Sequence, residues 1–510
     1  MPYARTSSVS LTGLDGHPVT VEVHIGKGTK GFVMTGLPDA SLRQSRTRIE
    51  SAFDNSQLEW PDAHVVVNLL PASLPKSGAG SDLAIAAGLL SATAQIPPDS
   101  ATKYVLLGEL GLDGQLRAVP GVLAALLAAR RSGASHALVP HRNQSEAALI
   151  SGMTVHTAES LAEVVAHLRG RHALTTAQRG EAPTPDPLPD LCDVIGQEPA
   201  RRALEVAAAG EHHMFLLGPP GTGKTMLAQR LPSLLPPLDD EAALETTAIH
   251  SISSAARAAP ARLLRHPPFS APHHSATMPA IVGGGSNPLR PGAISLAHNG
   301  VLFLDESPEF KREVLDSLRQ PLEAGEITIS RSAAISRFPA RVQLILAANP
   351  CPCAATIDQA CRCGSARRRR YLARLSGPLM DRIDIRIEVP PMPISEIVAA
   401  APPSEDSATV AARVAQARDA ARRRWGKEGL SSRTNAAVPG SVLRSASWRL
   451  PRDVTRTADW LVDSGQLSGR GYDRILRLAW SISDLAGRER PDQGDVAEAT
   501  QLRIGHSLPN

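Results

Sequence analysis

The chain has 510 residues, and its 54 Lys and Arg against 50 Asp and Glu leave a net charge of +4. It is too long for one core, so two or three domains are expected, and the whole-molecule field declares no polyanionic partner. No run of eighteen apolar residues and no secretion signal stand in the sequence, which excludes a predicted membrane-spanning helix and makes the cytoplasm the expected location.

The first part alternates β-rich runs (VTVEVHIG, HVVVNLL, YVLLGEL) with alanine-rich helical runs (DLAIAAGLLSA, VLAALLAARRSG). This predicts a mixed α/β domain over residues 1–172. The proline-rich APTPDPLP cannot make a regular element and predicts a linker over residues 173–190. Residues 191–390 carry the chemistry. The short apolar run MFLLG predicts a buried parallel strand, and MLAQRL predicts the helix after it. Between them stand Gly218, Pro219, Pro220, Gly221, Thr222, Gly223, Lys224 and Thr225. Glycines let a backbone curl around a phosphate and aim its N–H groups at it, at a helix N-terminus. Lys224 would reach the terminal phosphates, and the Thr225 hydroxyl would take one position on magnesium.

About eighty residues later VLFLDE predicts a second strand ending on two acids. There Asp305 would hold the magnesium and Glu306 would orient and deprotonate the attacking water. Glu326 to Ala340 reads as strand, turn, strand. VQLILAAN then ends on Asn349, where a polar side chain could touch both the attacking water and the γ-phosphate. ATP and Mg²⁺ are therefore the expected cofactors.

Of the five cysteines, Cys351, Cys353, Cys361 and Cys363 crowd together as CPC, seven residues, then CRC. They fit a reducing compartment better than a disulfide framework, and four thiolates can close a tetrahedral Zn²⁺ site. Redox-active or free thiols are the alternatives. Arg367 to Arg370 follow, so a zinc-stapled loop could present a basic run. Seven of the 54 basic residues are lysine, leaving 47 arginines in an alanine-rich chain, so arginine abundance by itself carries little weight. Beyond PPMP, residues 391–510 predict three or four helices.

With these motifs placed, the chain resembles the YifB/ComM family of magnesium-chelatase-like AAA+ ATPases over nearly its whole length. The resemblance rests on FSAPHHSATMPAIVGGG (Phe269 to Gly285), RPGAISLAHNGVLFLDE (Arg290 to Glu306), ITISRSAAISRFPA (Ile327 to Ala340) and RLSGPLMDRIDI (Arg374 to Ile385). It implies a central AAA+ domain with a parallel sheet, a C-terminal helical lid, and a homo-oligomeric ring, hexameric, with ATP between neighbouring subunits. It implies DNA as the partner, with branch migration of recombination intermediates as the best-defined role. It further implies an arginine finger at Arg382 and a second sensor arginine at Arg470, with Arg474 the competitor. The bland reading of Arg382 is a surface arginine paired to Asp381 or Asp384. The hairpin before the sensor strand would point into the ring pore, with Arg331 and Arg337 gripping phosphates. His273, His274 and the glycines 283 to 285 resemble the clade's inserted loop; the histidines suit metal binding, packing or loop hydrogen bonds.

LPKSGAGSDLAIA (Leu74 to Ala86) and GELGLDGQLRAVPGVLAA (Gly108 to Ala125) resemble the proteolytic domain of Lon-type proteases, implying an N-terminal Lon-protease-like α+β domain. Proteolysis would need a serine activated by a lysine. In register the serine position falls on Gly80 and the lysine position on Leu123, so a fold without peptidase chemistry is expected; Ser81 and Lys76 are the only improvised pair. The alternative to a DNA motor is the motor subunit of a metal chelatase acting on a protein partner, because an ATPase core alone cannot choose its substrate. A transcription activator would need a GAFTGA-like loop, and GGGSNP stands near that place instead.

Overall fold

The computed structural model describes residues 3–505, apart from residue 77 and segments 180–186, 254–261, 286–288, 331–334, 356–360, 393–404 and 431–433. Arg331 and the middle of the expected linker lie outside the described residues.

A seven-stranded mixed sheet organises the first domain, in the order Gly31–Thr35, His64–Leu70, Asp15–Gly26, Tyr3–Thr12, Val105–Leu106, His136–Pro140, Thr154–Ala158. Alternation along Asp15–Gly26 and His64–Leu70 sends Val19, Val21, Val23, Val65, Val67 and Leu69 into one core against the helix Asp82–Ala92. The edge of this domain runs past the expected boundary at residue 172: Leu174 is buried, Thr157 N–H donates to the Thr175 carbonyl at 3.0 Å and Ala177 N–H to the Val155 carbonyl at 2.7 Å. An apolar leucine and free strand-edge carbonyls draw the chain in before the prolines begin.

The second sheet is parallel throughout, in the order Phe269–Ser270, Gly300–Leu304, Val342–Ala348, Met214–Leu217, Ile385–Glu388. Its central strands read as unbroken apolar runs because both faces are covered. On one face, Leu204, Leu227 and Phe303 share a core with Trp425, Ile475 and Trp480 of the C-terminal helices, so those helices are packed onto the sheet domain. The long C-terminal helices are Ser407–Lys427, Arg452–Asp463, Gly469–Leu485 and Gln493–Ile504. The hairpin Glu326–Ser330 and Ile335–Pro339 is a separate antiparallel pair.

The first domain meets the second at two places. Ala248 and Ile252, from the helix Asp240–Ile252, enter the core formed by Val122, Leu123 and Leu126, and the Ser251 hydroxyl donates to the buried Glu146 carboxylate. Gly13, with φ of +68°, bridges in parallel to Arg337 of the hairpin.

Candidate active site

The strand Met214–Leu217 delivers the chain to Gly218 at the carboxyl end of the parallel sheet, flanked by Ala348 and Val389. A Cβ on Gly218 would stand 2.3 Å from the Val389 carbonyl oxygen, so only glycine passes there. Gly221 and Gly223 hold φ of +80° and +89°, left-handed angles that glycine takes without steric cost, and the helix Lys224–Leu234 starts immediately after. Inside the loop, Lys224 Nζ donates to the carbonyls of Gly218 and Pro219 at 2.7 Å each and to Asn349 Oδ1 at 3.2 Å. Burial pushes the Lys224 ammonium down from the ordinary lysine range, opposed by the charges of Asp305 and Glu306. The Thr222 hydroxyl donates to Pro219 at 3.0 Å and Pro220 forms the turn.

Thr225 Oγ1 donates to Asp305 Oδ2 at 2.6 Å. A hydroxyl beside a carboxylate next to a phosphate cradle is the oxygen donor set a magnesium ion takes, and these residues fit one. Glu306 follows at φ +49°, ψ +41°, an uncommon conformation for a residue with a side chain. Its N–H donates to Asp305 Oδ1 at 2.9 Å, and its Oε2 lies 3.0 Å from His274 Nδ1. The ring of His274 stacks on His273 with centroids 4.1 Å apart, and His273 is in turn bonded to Ser275.

The arginines lie at the other end of the sheet. Strand Ile385–Glu388 starts opposite Met214, four residues before Gly218, which at a strand rise of ~3.3 Å per residue puts about 13 Å between the two ends. Just before that strand, Arg382 donates to the Pro378 carbonyl at 2.6 Å and pairs with Glu323, so neither Asp381 nor Asp384 is its partner. Asp384 instead holds Arg474 and, at 3.0 Å, His212 Nδ1, whose Nε2 reaches Ser481 Oγ at 2.8 Å. Burial would raise the Asp384 pKa, but the His212 bond and the Arg474 charge hold it well below the usual carboxylate range. Arg470 is exposed, with no ion-pair partner among the described residues. Arg382, Arg470, Arg474 and Arg477 together line a cleft of about 220 Å³ with Glu323, Asp381 and Asp473. One protomer thus brings Lys224, Thr225, Asp305, Glu306 and Asn349 together and keeps Arg382 and Arg470 apart from them.

Cys351 Sγ lies 3.1 Å from Cys353 Sγ and 3.3 Å from Cys361 Sγ, and with Cys363 all four sulfurs fall within 4.8 Å of one another. A tetrahedral zinc with Zn–S near 2.3 Å spaces its sulfurs by about 3.8 Å, so a small expansion of this cluster accepts the ion. Backbone N–H donation from Cys363 pulls the Cys361 thiol down to about 6, while burial pushes Cys351 up to about 12. Two residues beyond the cluster the helix Ser365–Leu372 begins, with Arg367, Arg369 and Arg370 exposed. Arg337 is also exposed, opposite Thr328 in the hairpin.

In the first domain Ser81 Oγ faces Ser8 Oγ at 3.3 Å, while the buried Lys76 ammonium donates to the carbonyls of Leu69, at 2.9 Å, and Pro71. The two are not brought together, and Leu123 is buried among leucines and alanines. Sequence reasoning missed the contact of His274 with Glu306 and the His212–Asp384–Arg474 network, which depend on strand order and helix packing; the APHH and RID runs were their only sequence signal.

Comparison with protein families matches residues 190–397 to the description "Magnesium chelatase, subunit ChlI", residues 21–143 to "Subunit ChlI of Mg-chelatase", and residues 404–503 to "Magnesium chelatase, subunit ChlI C-terminal". An uncharacterized protein of Mycobacterium tuberculosis is 47% identical over 508 residues, 99% of both chains. YifB of Escherichia coli is 43% identical over 491 residues, 96% of this chain and 94% of that one. Competence protein ComM of Haemophilus influenzae is 42% identical over 508 residues, 99% and 98%. Lon protease 2 of Bacillus subtilis is 27% identical over 160 residues, 31% of this chain and 27% of that one.

Proposed function

The chain belongs to the magnesium-chelatase-like AAA+ ATPase family that includes YifB and ComM, and from that premise we propose that it is a ring motor that couples ATP hydrolysis to movement of DNA strands. The observation that carries the ring is the separation within one sheet: the phosphate loop at the carboxyl ends, the arginine cleft at the amino ends. Such a protomer completes its site only with a neighbour's Arg382 and Arg470, the closed arrangement being a hexamer.

In this reading Lys224 and the loop N–H groups bind the β- and γ-phosphates. Magnesium held by Thr225 and Asp305 neutralises phosphate charge. Glu306 takes the proton of the attacking water, and Asn349 orients that water against the γ-phosphate. Arg382 and Arg470 of the adjoining subunit stabilise the charge that develops on the transferred group. Of the two candidates for the second sensor, Arg470 is the better one because Arg474 is already held by Asp384.

DNA is supported by the exposed Arg337 on the hairpin and by the helix with Arg367, Arg369 and Arg370, which the cysteine cluster, as a zinc site, would hold rigidly. ComM, named a competence protein, points the same way. The chelatase reading keeps its footing in the family descriptions themselves. ATPase rates with four-way, forked and duplex DNA decide between them. Greater stimulation by branched DNA is expected, and stimulation by none of the three would overturn the DNA reading.

A further inference from the structure

Glu306 is the residue whose position decides hydrolysis if the proposed ATPase mechanism holds, and the inference here rests on that reading. Its carboxylate is drawn to His274, 3.0 Å away. His274 follows the two-residue edge strand Phe269–Ser270, which pairs with the acidic strand on the side away from the phosphate-loop strand. The imidazole therefore pulls the carboxylate outward, away from Lys224. An N–H donor on a carboxylate also occupies the lone pair that a general base needs for its water.

The same loop runs directly toward the surface proposed to meet DNA. Four residues past His274 the helix Met278–Val282 begins, and it ends on Gly283, which pairs with Pro291. A Cβ at Gly283 would stand 3.1 Å from Ile329 Cδ1 of the hairpin, so the two segments are in close contact. A pull on the hairpin reaches His274 through one close contact and one short helix.

We propose that His274 is a positioning residue that latches Glu306 in an outward position, and that a polynucleotide engaging the 278–291 segment and the hairpin releases it. Hydrolysis is thereby tied to engagement of the strand.

The test measures kcat and KM for ATP in full-length wild type, His274→Ala, His274→Asn and Glu306→Gln, without DNA and with a saturating forked oligonucleotide. In His274→Ala the DNA-free kcat should rise about three- to tenfold, as expected for freeing one charge-assisted hydrogen bond, with KM unchanged and the stimulation ratio falling toward one. His274→Asn, whose amide can still donate to the carboxylate, should keep most of the wild-type ratio. A DNA-free rate in His274→Ala that is lower than or equal to wild type overturns the latch. Full activity in Glu306→Gln would instead remove the general-base reading, and with it the latch. A wild type that no DNA stimulates removes the polynucleotide, while the DNA-free rates still decide whether His274 restrains Glu306.

Discussion

Asp305 and Glu306 are adjacent carboxylates with separate surroundings: Asp305 meets Thr225 and the Glu306 N–H, while Glu306 meets only His274 among the printed polar contacts of its side chain. Glu306→Gln keeps the side-chain volume and removes the base, so nucleotide binding should persist while kcat falls about 10²- to 10⁴-fold, the usual contribution of a positioned base. Equilibrium binding of a fluorescent ATP analogue beside single-turnover hydrolysis checks both halves. His213 makes a different statement. Its Nδ1 accepts the Leu344 N–H at 3.1 Å, and burial pushes its pKa down to about 4. A depressed histidine pKa means the unfolded chain binds the proton first, so this stabilisation is complete above about pH 6.5. It is lost as pH falls toward 4, at up to about 1.4 kcal/mol per pH unit. Denaturant midpoints between pH 7 and 5 should fall less steeply in His213→Gln than in wild type; equal slopes would refute the assignment. At this scale the sequence was most legible where function is local. Gly218 to Thr225 act through their own backbone angles, whereas His274 depends on a strand paired thirty residues away, and no spacing rule reports that.

The elements show why some boundaries were legible and others were not. MFLLG, VLFLDE and VQLILAAN are short apolar runs ending on glycine, acids or asparagine, and all three form neighbouring parallel strands with those polar residues at one edge. The hairpin was readable from its alternation on both sides of a turn. The end of the first domain was not, because Leu174 to Ala177 join it through backbone bonds to the strand Thr154–Ala158, which leave no compositional mark. The cysteine cluster is a case where the spacing suggested a metal and the fold brings all four sulfurs within reach of one ion. If zinc holds the Ser365–Leu372 helix in place, Cys363→Ser should bind less than half a zinc per chain by elemental analysis. Its DNA-free ATPase should stay near wild type, because no cysteine touches the phosphate loop, while stimulation by branched DNA should drop severalfold. Wild-type stimulation retained in zinc-free protein would separate the cluster from DNA.

At the scale of the molecule, the arginine cleft and the phosphate loop pose a geometric question that one protomer cannot answer. Arg382 is anchored by Glu323 and Pro378, and Arg474 by the buried Asp384, which His212 ties to Ser481 of the C-terminal helices. That network makes the cleft part of a rigid unit joining lid and sheet. A shift of the lid would therefore carry the arginines with it, and across a subunit boundary it would move them against the neighbour's nucleotide. The consequence can be tested with two inactive proteins. Lys224→Ala should fail to hold the phosphates, and Arg382→Ala should bind ATP yet hydrolyse almost none. If Arg382 serves the adjoining subunit, an equal mixture contains boundaries where an Arg382→Ala protomer supplies an intact phosphate loop and a Lys224→Ala protomer supplies an intact arginine. Random assembly makes about a quarter of boundaries complete, so the mixture should recover up to about a quarter of wild-type turnover, with a bell-shaped dependence on mixing ratio. An arginine acting within its own chain predicts no recovery at any ratio, because every protomer in the mixture would still lack one of the two groups.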